Sequence, residues 1–454
     1  MGSPARVLVL GFSAMITLGT CLLALPIAAA PGHSIGIVNA FFTSTSAVCV
    51  TGLVVKDPAT DFSLFGQWVI LLLIQIGGFG YMTMATIMAL LLGRQLSLKD
   101  RLVLREALNV LSMEGLVRFT RNLIGISLLV ETMGALLLTL RFALDAVFLS
   151  KHSLLDAIYF GIFHSVSAFN NAGFSLFSEN LIPYRSDLVV NLVITTLIIL
   201  GGIGFIVYSD LYRRYHGEGH QLSLHTKLVV TVTISLIVAG TALFFFSEFQ
   251  HPETIGKLSL SEQLLVSYFH SVSARTAGFN TVDLSKLSTV ALYLLMLLMF
   301  IGASPGGTGG GIKTTTFGTI VIDLWTTLRG QVEAGAYHRR IAAANVAKAY
   351  LITAIAFIWL TVASFLLLGV EHLETDKYFL RVLFEVTSAL GTVGLSTGDG
   401  GILSFAALFN SFGKLVIAVT MLVGRVGPLT LGAAVLQSQE KSRVRYPEGE
   451  VLIG

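Results

Sequence analysis

The chain has 454 residues, of which 54% are hydrophobic and 12% charged, with a formal net charge of +3. Soluble domains carry about a quarter charged residues, so this balance excludes a water-soluble fold, and the small net charge gives no reason to invoke nucleic acid. The two cysteines, Cys21 and Cys49, are too few for a disulfide framework.

In chain order, the first apolar run follows Arg6 and reaches Ala30. It exceeds the roughly 7–15 apolar residues of a secretory signal, so a retained first helix is expected despite Ala28-Ala29-Ala30. Further uncharged runs cover 62–93, 188–208, 228–247 and 349–369. Each reaches the about 20 residues that cross a hydrocarbon core. Shorter amphipathic stretches at about 35–48, 154–169, 260–274 and 378–390 cannot cross alone.

These short stretches belong to a fourfold repeat. Phe42, Phe163, Phe269 and Phe384 are each followed by a Ser-Ala pair and then by a lone glycine: Gly52, Gly173, Gly278 or Gly394. A large apolar residue follows each glycine: Leu53, Phe174, Phe279 or Leu395. The glycines recur every 105 to 121 residues, and the third copy is one residue shorter. A second signature lies in the next apolar segment of each copy, beginning at Ile76-Gly77, Leu200-Gly201, Ile301-Gly302 and Val423-Gly424.

The expected fold is therefore an all-α integral membrane protein of four tandem helix–pore-helix/loop–helix repeats around a pseudo-fourfold central pore. It would have eight spanning helices and four re-entrant half-helices. Repeat one covers 1–93 (filter loop 46–53), followed by a cytoplasmic connection at 94–118. Repeat two covers 119–214 (loop 167–174), and repeat three 215–330 (loop 273–279, with an intramembrane glycine-rich loop at 302–316). Repeat four covers 331–440 (loop 388–395), and 441–454 is a cytoplasmic tail. Non-helical backbone at membrane depth survives only inside protein or beside a water-filled cavity, which such a ring provides.

Basic residues set the orientation. Arg94, Lys99, Arg101, Arg105, Arg118 and Arg121 fill one connection, Arg213, Arg214 and Lys227 another, and Arg329, Arg339, Arg340 and Lys348 a third. Lys441, Arg443 and Arg445 lie in the tail. The positive-inside rule places these connections and both termini in the cytoplasm. The same charges suit anionic lipid or a docked partner.

The glycine loops have the chemistry of a potassium filter. Rings of backbone carbonyls replace the hydration shell of potassium, and glycine tolerates the backbone conformation that turns carbonyls inward. The loops read Val50-Thr51-Gly52, Asn171-Ala172-Gly173, Thr276-Ala277-Gly278 and Thr392-Val393-Gly394. They carry no acidic ring for divalent cations and no basic ring for anions. The C-terminal ends of the half-helices would add partial negative charge. Arg275 is the exception, and is expected to point away from the axis and pair with Glu385. His164 and His270 match between copies two and three. They read as half-helix packing groups rather than metal ligands, since no third ligand is in view.

The third repeat breaks the pattern. Gly302, Ser304, Pro305, Gly306, Gly307, Thr308, Gly309, Gly310, Gly311 and Lys313 interrupt an apolar segment. A helix interior does not hold them, since Gly costs about 1 kcal/mol and Pro about 3. A loop within the membrane below the filter is a gate candidate; a simple hinge is the alternative. Ile312 between Gly311 and Lys313 spoils the match to a phosphate-binding loop. Lys313 is expected to reach the cytoplasmic mouth. Arg425 replaces a glycine of the second signature and is either a barrier on the axis in contact with this loop or the partner of a buried acid.

These motifs together resemble the superfamily of bacterial Trk and Ktr and plant HKT potassium transporters, over nearly the whole chain to about Val435. Within it the chain is most similar to KtrB-type membrane subunits. Many plant members have Ser at the first filter position, where this chain has Gly52, which favours potassium. The resemblance implies potassium uptake, often sodium-stimulated, as a homodimer with one pore per protomer in the cell inner membrane. It also implies a cytoplasmic ring of nucleotide-binding regulatory subunits of KtrA type, gating by the loop matching Gly302 to Thr316, and an arginine beneath the filter at Arg425. No cofactor is expected in this chain, since its short cytoplasmic connections leave nucleotide sensing to the partner. A sodium- or proton-coupled transporter with alternating access is the competing function, although such folds often carry inverted repeats and these run in parallel. An enzyme is not expected, because no catalytic constellation occurs in the apolar segments.

Overall fold

The computed structural model describes residues 4–80, 116–217, 221–331, 333–371, 375–427 and 430. The expected basic residues at 94–105 and the tail at 441–454 lie outside them.

The described chain is helical apart from one two-residue hairpin, β1 (Gly335–Ala336) with β2 (Arg339–Arg340). The first group of helices is α1 (Pro4–Leu23), α2 (Ile37–Val48) and α3 (Leu64–Phe79). The second is α4 (Leu116–Ala143), the short α5 (Ala146–Leu149), α6 (Leu154–Phe169), α7 (Leu188–Gly202) and α8 (Phe205–Tyr215). The third is α9 (Leu224–Glu248), α10 (Leu260–Ser273), α11 (Thr289–Phe300) and α12 (Thr314–Leu328). The last is α13 (Ala343–Val370), α14 (Thr375–Gly391) and α15 (Ser411–Val426).

Local chemistry starts these helices where the sequence allows. Ser153 with Asp156 and Ser259 with Glu262 form capping boxes at the starts of α6 and α10. Each box satisfies two orphan backbone donors at once. The side chains of Ser63, Asp187, Ser288 and Asn410 cap α3, α7, α11 and α15.

Among the described residues, four helices are long and apolar enough to cross a membrane, within α1, α4, α9 and α13. The second long helix of each group is shorter than expected, because it breaks at the second glycine signature. α3 stops before Gly80 (φ 78°) and α15 before Gly427 (φ 91°). α7 stops at Gly202, and after Gly204 (φ 94°) α8 leaves at 91°. α11 stops at Phe300, ahead of the glycine-rich loop. A break was expected in the third repeat alone; among the described residues, each of the four helices ends at its glycine signature.

α2 packs between α1 and α3, α6 between α4 and α7, and α14 between α13 and α15, while α10 packs on α9. Each short helix also packs on the second long helix of the preceding group: α6 on α3, α10 on α7, α14 on α11, and α2 on α15. The order is cyclic, so the last group closes on the first.

Candidate functional site

The four lone glycines meet at the centre of this ring. A Cβ built on Gly52 would lie 2.4 Å from the Ala172 carbonyl oxygen and 3.0 Å from Gly173 Cα. One on Gly173 would lie 2.7 Å from Ala277 O and 3.0 Å from Gly278 Cα. One on Gly278 would lie 2.4 Å from Val393 O, and one on Gly394 would lie 2.2 Å from Thr51 O. Each glycine's nearest contact is to the next copy, and the fourth returns to the first. The close approach leaves no room for a side chain.

Backbone conformation repeats with the same fidelity. The glycines have φ of 92°, 69°, 78° and 93°. Two residues earlier, Val50 (φ 56°), Asn171 (58°), Thr276 (74°) and Thr392 (49°) are also left-handed. Each such non-glycine residue costs on the order of 1–3 kcal/mol and persists only where its surroundings over-determine it. Alternating signs of φ turn successive carbonyls toward one side of the strand. This was not foreseen from sequence, where Val and Thr are poor candidates for that region.

The serine of each Ser-Ala pair anchors its loop. Ser46 Oγ accepts from Gly52 N–H at 3.1 Å, and Ser388 Oγ from Gly394 N–H at 3.0 Å. Ser167 Oγ donates to Phe174 O at 2.7 Å, and Ser273 Oγ to Phe279 O at 2.5 Å. Leu53, Phe174, Phe279 and Leu395 are buried behind the loops. The Ser-Ala pair marked the repeat in the sequence, but its role as the clamp that sets the loop did not emerge there.

The glycines of the second signature hold the half-helix ends. A Cβ on Gly77 would lie 2.1 Å from Val48 O, on Gly201 1.7 Å from Phe169 O, and on Gly424 2.0 Å from Leu390 O. The third copy differs. Its Gly302 faces Gly310 O instead, and Arg275 stands where the other copies have Val48, Phe169 and Leu390.

Arg275 does not pair with Glu385 as expected. It is buried, with Nη2 3.4 Å from the Thr233 hydroxyl on α9 and Nε without a partner. Glu385 is occupied elsewhere, accepting from Ser396 Oγ at 2.6 Å and from Ala406 N–H at 2.9 Å. Each side chain serves its own repeat, so the bridge between repeats is not made.

The two histidines take the packing role expected of them. His164 Nδ1 lies 2.8 Å from Phe160 O and Nε2 3.0 Å from Ser175 Oγ. His270 Nδ1 lies 3.0 Å from Val266 O, with its ring stacked on Phe244. Among the described residues no three His, Cys, Asp or Glu side chains are grouped as metal ligands.

The glycine-rich loop lies against one side of the glycine ring. Gly302 N–H donates to Ile312 O at 2.7 Å and Ala303 N–H to Gly310 O at 3.3 Å, which closes the loop on itself. Ser304 Oγ accepts from Thr314 Oγ1 at 2.8 Å. Toward the second repeat, Ser304 N–H donates to Gly202 O at 3.0 Å, and Thr308 N–H to Gly201 O at 3.1 Å. Pro305 O packs on Gly204, Gly306 O accepts from Phe205 N–H at 3.1 Å, and Gly307 packs on Gly202. Toward the ring, Thr308 Oγ1 donates to Phe169 O at 3.1 Å, Gly310 N–H donates to Thr392 Oγ1 at 3.1 Å, and Gly309 packs on Thr276. Toward the fourth repeat, Gly311 N–H donates to Gly424 O at 3.3 Å.

Two cations bind this loop. Arg425 donates to the carbonyls of Thr308, Gly77 and Gly78, the last at 3.2 Å. It thereby ties the loop to the end of α3. No described carboxylate forms an ion pair with it, so the buried-acid alternative is not what the structure contains. Lys313 folds back instead of reaching outward, with Nζ 2.7 Å from Gly309 O.

A buried polar cluster stands behind the second loop. Glu131 on α4 accepts from Gln75 Nε2 on α3 at 3.0 Å and from Asn170 Nδ2 at 3.0 Å. Asn170 ends the α6 half-helix and packs directly on Gly78. The polar residues of this cluster lie too far apart in sequence to have been grouped by motif.

Residues 8–444 match the family described as TrkH, cation transport protein. The chain is 39% identical to the Ktr system potassium uptake protein B of Bacillus subtilis, covering all of this chain and 97% of that protein. It is 37% identical to the protein of the same name from Vibrio alginolyticus, over 100% of this chain and 95% of that one. It is 35% identical to the potassium/sodium uptake protein NtpJ of Enterococcus hirae, over 100% and 97% of the two chains. The crystal structure of the potassium transporter TrkH from Vibrio parahaemolyticus superposes with a TM-score of 0.71 at 19% identity, over 96% of this chain and 86% of that one. That likeness shows a shared fold. The chain belongs to the TrkH family of cation transport proteins, which are membrane ion transporters and not enzymes.

Proposed function

We propose that the chain takes up potassium through a carbonyl-lined filter at the glycine ring. The observation that carries this reading is the closed cycle of contacts among Gly52, Gly173, Gly278 and Gly394. A dehydrated cation needs several oxygens at one radius, and rings of filter carbonyls offer them. Val50, Thr51, Asn171, Ala172, Thr276, Ala277, Thr392 and Val393 supply the remaining carbonyls. The half-helices α2, α6, α10 and α14 end at this ring, and their C-terminal dipole ends favour a cation there. The names of the relatives from Bacillus, Vibrio and Enterococcus support potassium as cargo, and that of NtpJ adds sodium.

The glycine-rich loop is the gate in this reading, held shut by Arg425 and by its bonds to Gly201, Gly202 and Thr392. The basic connections face the cytoplasm, with four parallel repeats forming one pore. The names of the Ktr relatives support a multi-component system. In this reading a regulatory subunit docks on the basic face and the membrane chain acts as a homodimer. Sodium stimulation is part of the same proposal.

The test is potassium and sodium uptake by a transport-deficient bacterium expressing the chain with Gly52, Gly173, Gly278 or Gly394 each changed to Ser. Loss of uptake or of potassium preference at normal membrane expression supports the filter. Unchanged uptake and selectivity in all of the variants would overturn it.

A further inference from the structure

We propose that helix α8 is a docking surface for anionic phospholipid headgroups, and that lipid bound there biases the glycine-rich loop. The second half of this rests on the gate reading above.

Three features of α8 point to the lipid surface. The first is its direction. It leaves the apolar α7 at 91°, so it runs across the direction of that spanning segment. The second is its depth. The Asp210 carboxylate accepts from the hydroxyls of Ser223 and Thr226, the latter at 2.5 Å. Ser223 is the N-cap of α9, a helix of 25 residues. A helix of that length crosses the whole bilayer with its ends at the headgroups. The clamp therefore holds the second half of α8 at headgroup level.

The third feature is its composition. Tyr208, Leu211, Tyr212 and Tyr215 follow the spacing of one helix face. Leu211 is 47% exposed, Tyr212 62% and Tyr215 88%. Arg213 and Arg214 are exposed on the face that carries Asp210, and no described carboxylate forms an ion pair with either. Tyrosine suits the headgroup region, being apolar in its ring and polar at its tip. A helix with an aromatic stripe beside basic residues lies in the interface and gains affinity from anionic lipid. The charge complements a phosphodiester, and the stripe complements the upper acyl chain.

The same helix begins at the loop. Phe205, its first residue, donates its N–H to Gly306 O at 3.1 Å. Gly202 O and Gly201 O, just before the bend, accept from Ser304 and Thr308. A shift of α8 against the membrane surface therefore bears on the Ser304–Thr308 side of the loop.

The experiment uses the full chain in vesicles of phosphatidylcholine, alone or mixed with phosphatidylglycerol. Tyr215→Trp introduces a reporter, read as the difference from the parent chain. Brominated phosphatidylglycerol is expected to quench the added tryptophan more strongly than brominated phosphatidylcholine at equal mole fraction. The excess should vanish when R213Q and R214Q are combined with the reporter. Equal quenching by the two lipids overturns the docking site, and so does absence of quenching by either, as for a stripe covered by a second copy or by a soluble partner. Potassium flux into the same vesicles is the second arm. Flux that changes several-fold with phosphatidylglycerol in the wild type, but not in R213Q/R214Q, supports the link to the loop; flux indifferent to lipid in both overturns that link. The fluorescence arm does not depend on transport, so its failure is distinct from failure of the pore reading, which the glycine variants test.

Discussion

The backbone N–H of Gly310 donates to the Thr392 hydroxyl at 3.1 Å, which bonds the glycine-rich loop directly to a residue of the glycine ring. Thr392→Val keeps the branched shape and removes the acceptor. The Gly310 N–H is then buried without a partner, at a cost of about 1–3 kcal/mol. The loop should sit less firmly, and basal potassium uptake should rise. Uptake equal to wild type, at equal expression, would show that this bond does not hold the loop.

Arg425 joins the loop to α3 through the carbonyls of Thr308, Gly77 and Gly78. Arg425→Gln removes the charge and the fork and should raise potassium flux. Arg425→Lys keeps the charge but offers a point donor that cannot bridge both strands, so its flux should fall between the two. Flux assays in vesicles would order the three proteins, and any other order sinks the barrier role.

Gly173→Ala puts a methyl group 2.7 Å from Ala277 O at a φ of 69°. Backbone strain of about 1–3 kcal/mol is expected before any repacking. Uptake should fall by roughly tenfold or more, since each 1.4 kcal/mol is a factor of ten. Potassium preference over sodium should narrow as well. Competition uptake with both ions measures it.

Among the described residues Arg275 has one long hydrogen bond and no acid beside it, although the sequence suggested a bridge to Glu385. Breaking a buried pair costs about 3–5 kcal/mol because one charge is left uncompensated, so replacing a charge that is already uncompensated by an apolar group is expected to be neutral or stabilising. Arg275→Leu should therefore leave the thermal midpoint in detergent unchanged or higher. A marked drop would mean that the guanidinium has a partner after all.

Glu131 holds Gln75 and Asn170 together from three different helices. Glu131→Gln preserves acceptor capacity and should be tolerated. Glu131→Leu leaves the Gln75 amide without its acceptor and takes one of three from Asn170, and should lower the thermal midpoint. Equal midpoints for the two variants would remove the network from the account.

Much of the architecture was legible because glycine and serine recur where backbone approaches backbone. The half-helices fell within a few residues of their expected bounds, and Gly52, Gly173, Gly278 and Gly394 met as expected. Three things were not legible. The left-handed Val50, Thr276 and Thr392 defy their own preferences, and only the surrounding ring makes them tolerable. The ends of α3, α7 and α15 lie in sequence that reads as continuous helix, and each comes just before a glycine, Gly80, Gly204 or Gly427, in the left-handed region. The direction of Lys313 and the isolation of Arg275 are set by which acceptors lie nearby in space, which a linear pattern does not record.

The cyclic order of packing has a consequence for biogenesis. Val54 donates its N–H to the Ser404 hydroxyl across 350 residues of chain, and α2 rests on α15. The wall beside Gly52 is therefore made only after the other three groups. Until it arrives, the first loop lacks, on that flank, the neighbour that holds Val50 in its left-handed conformation. A ribosome stalled before α15 should hold a nascent chain that is inserted in the membrane yet open along one seam, with the ion path unsealed and the protein exposed to quality control.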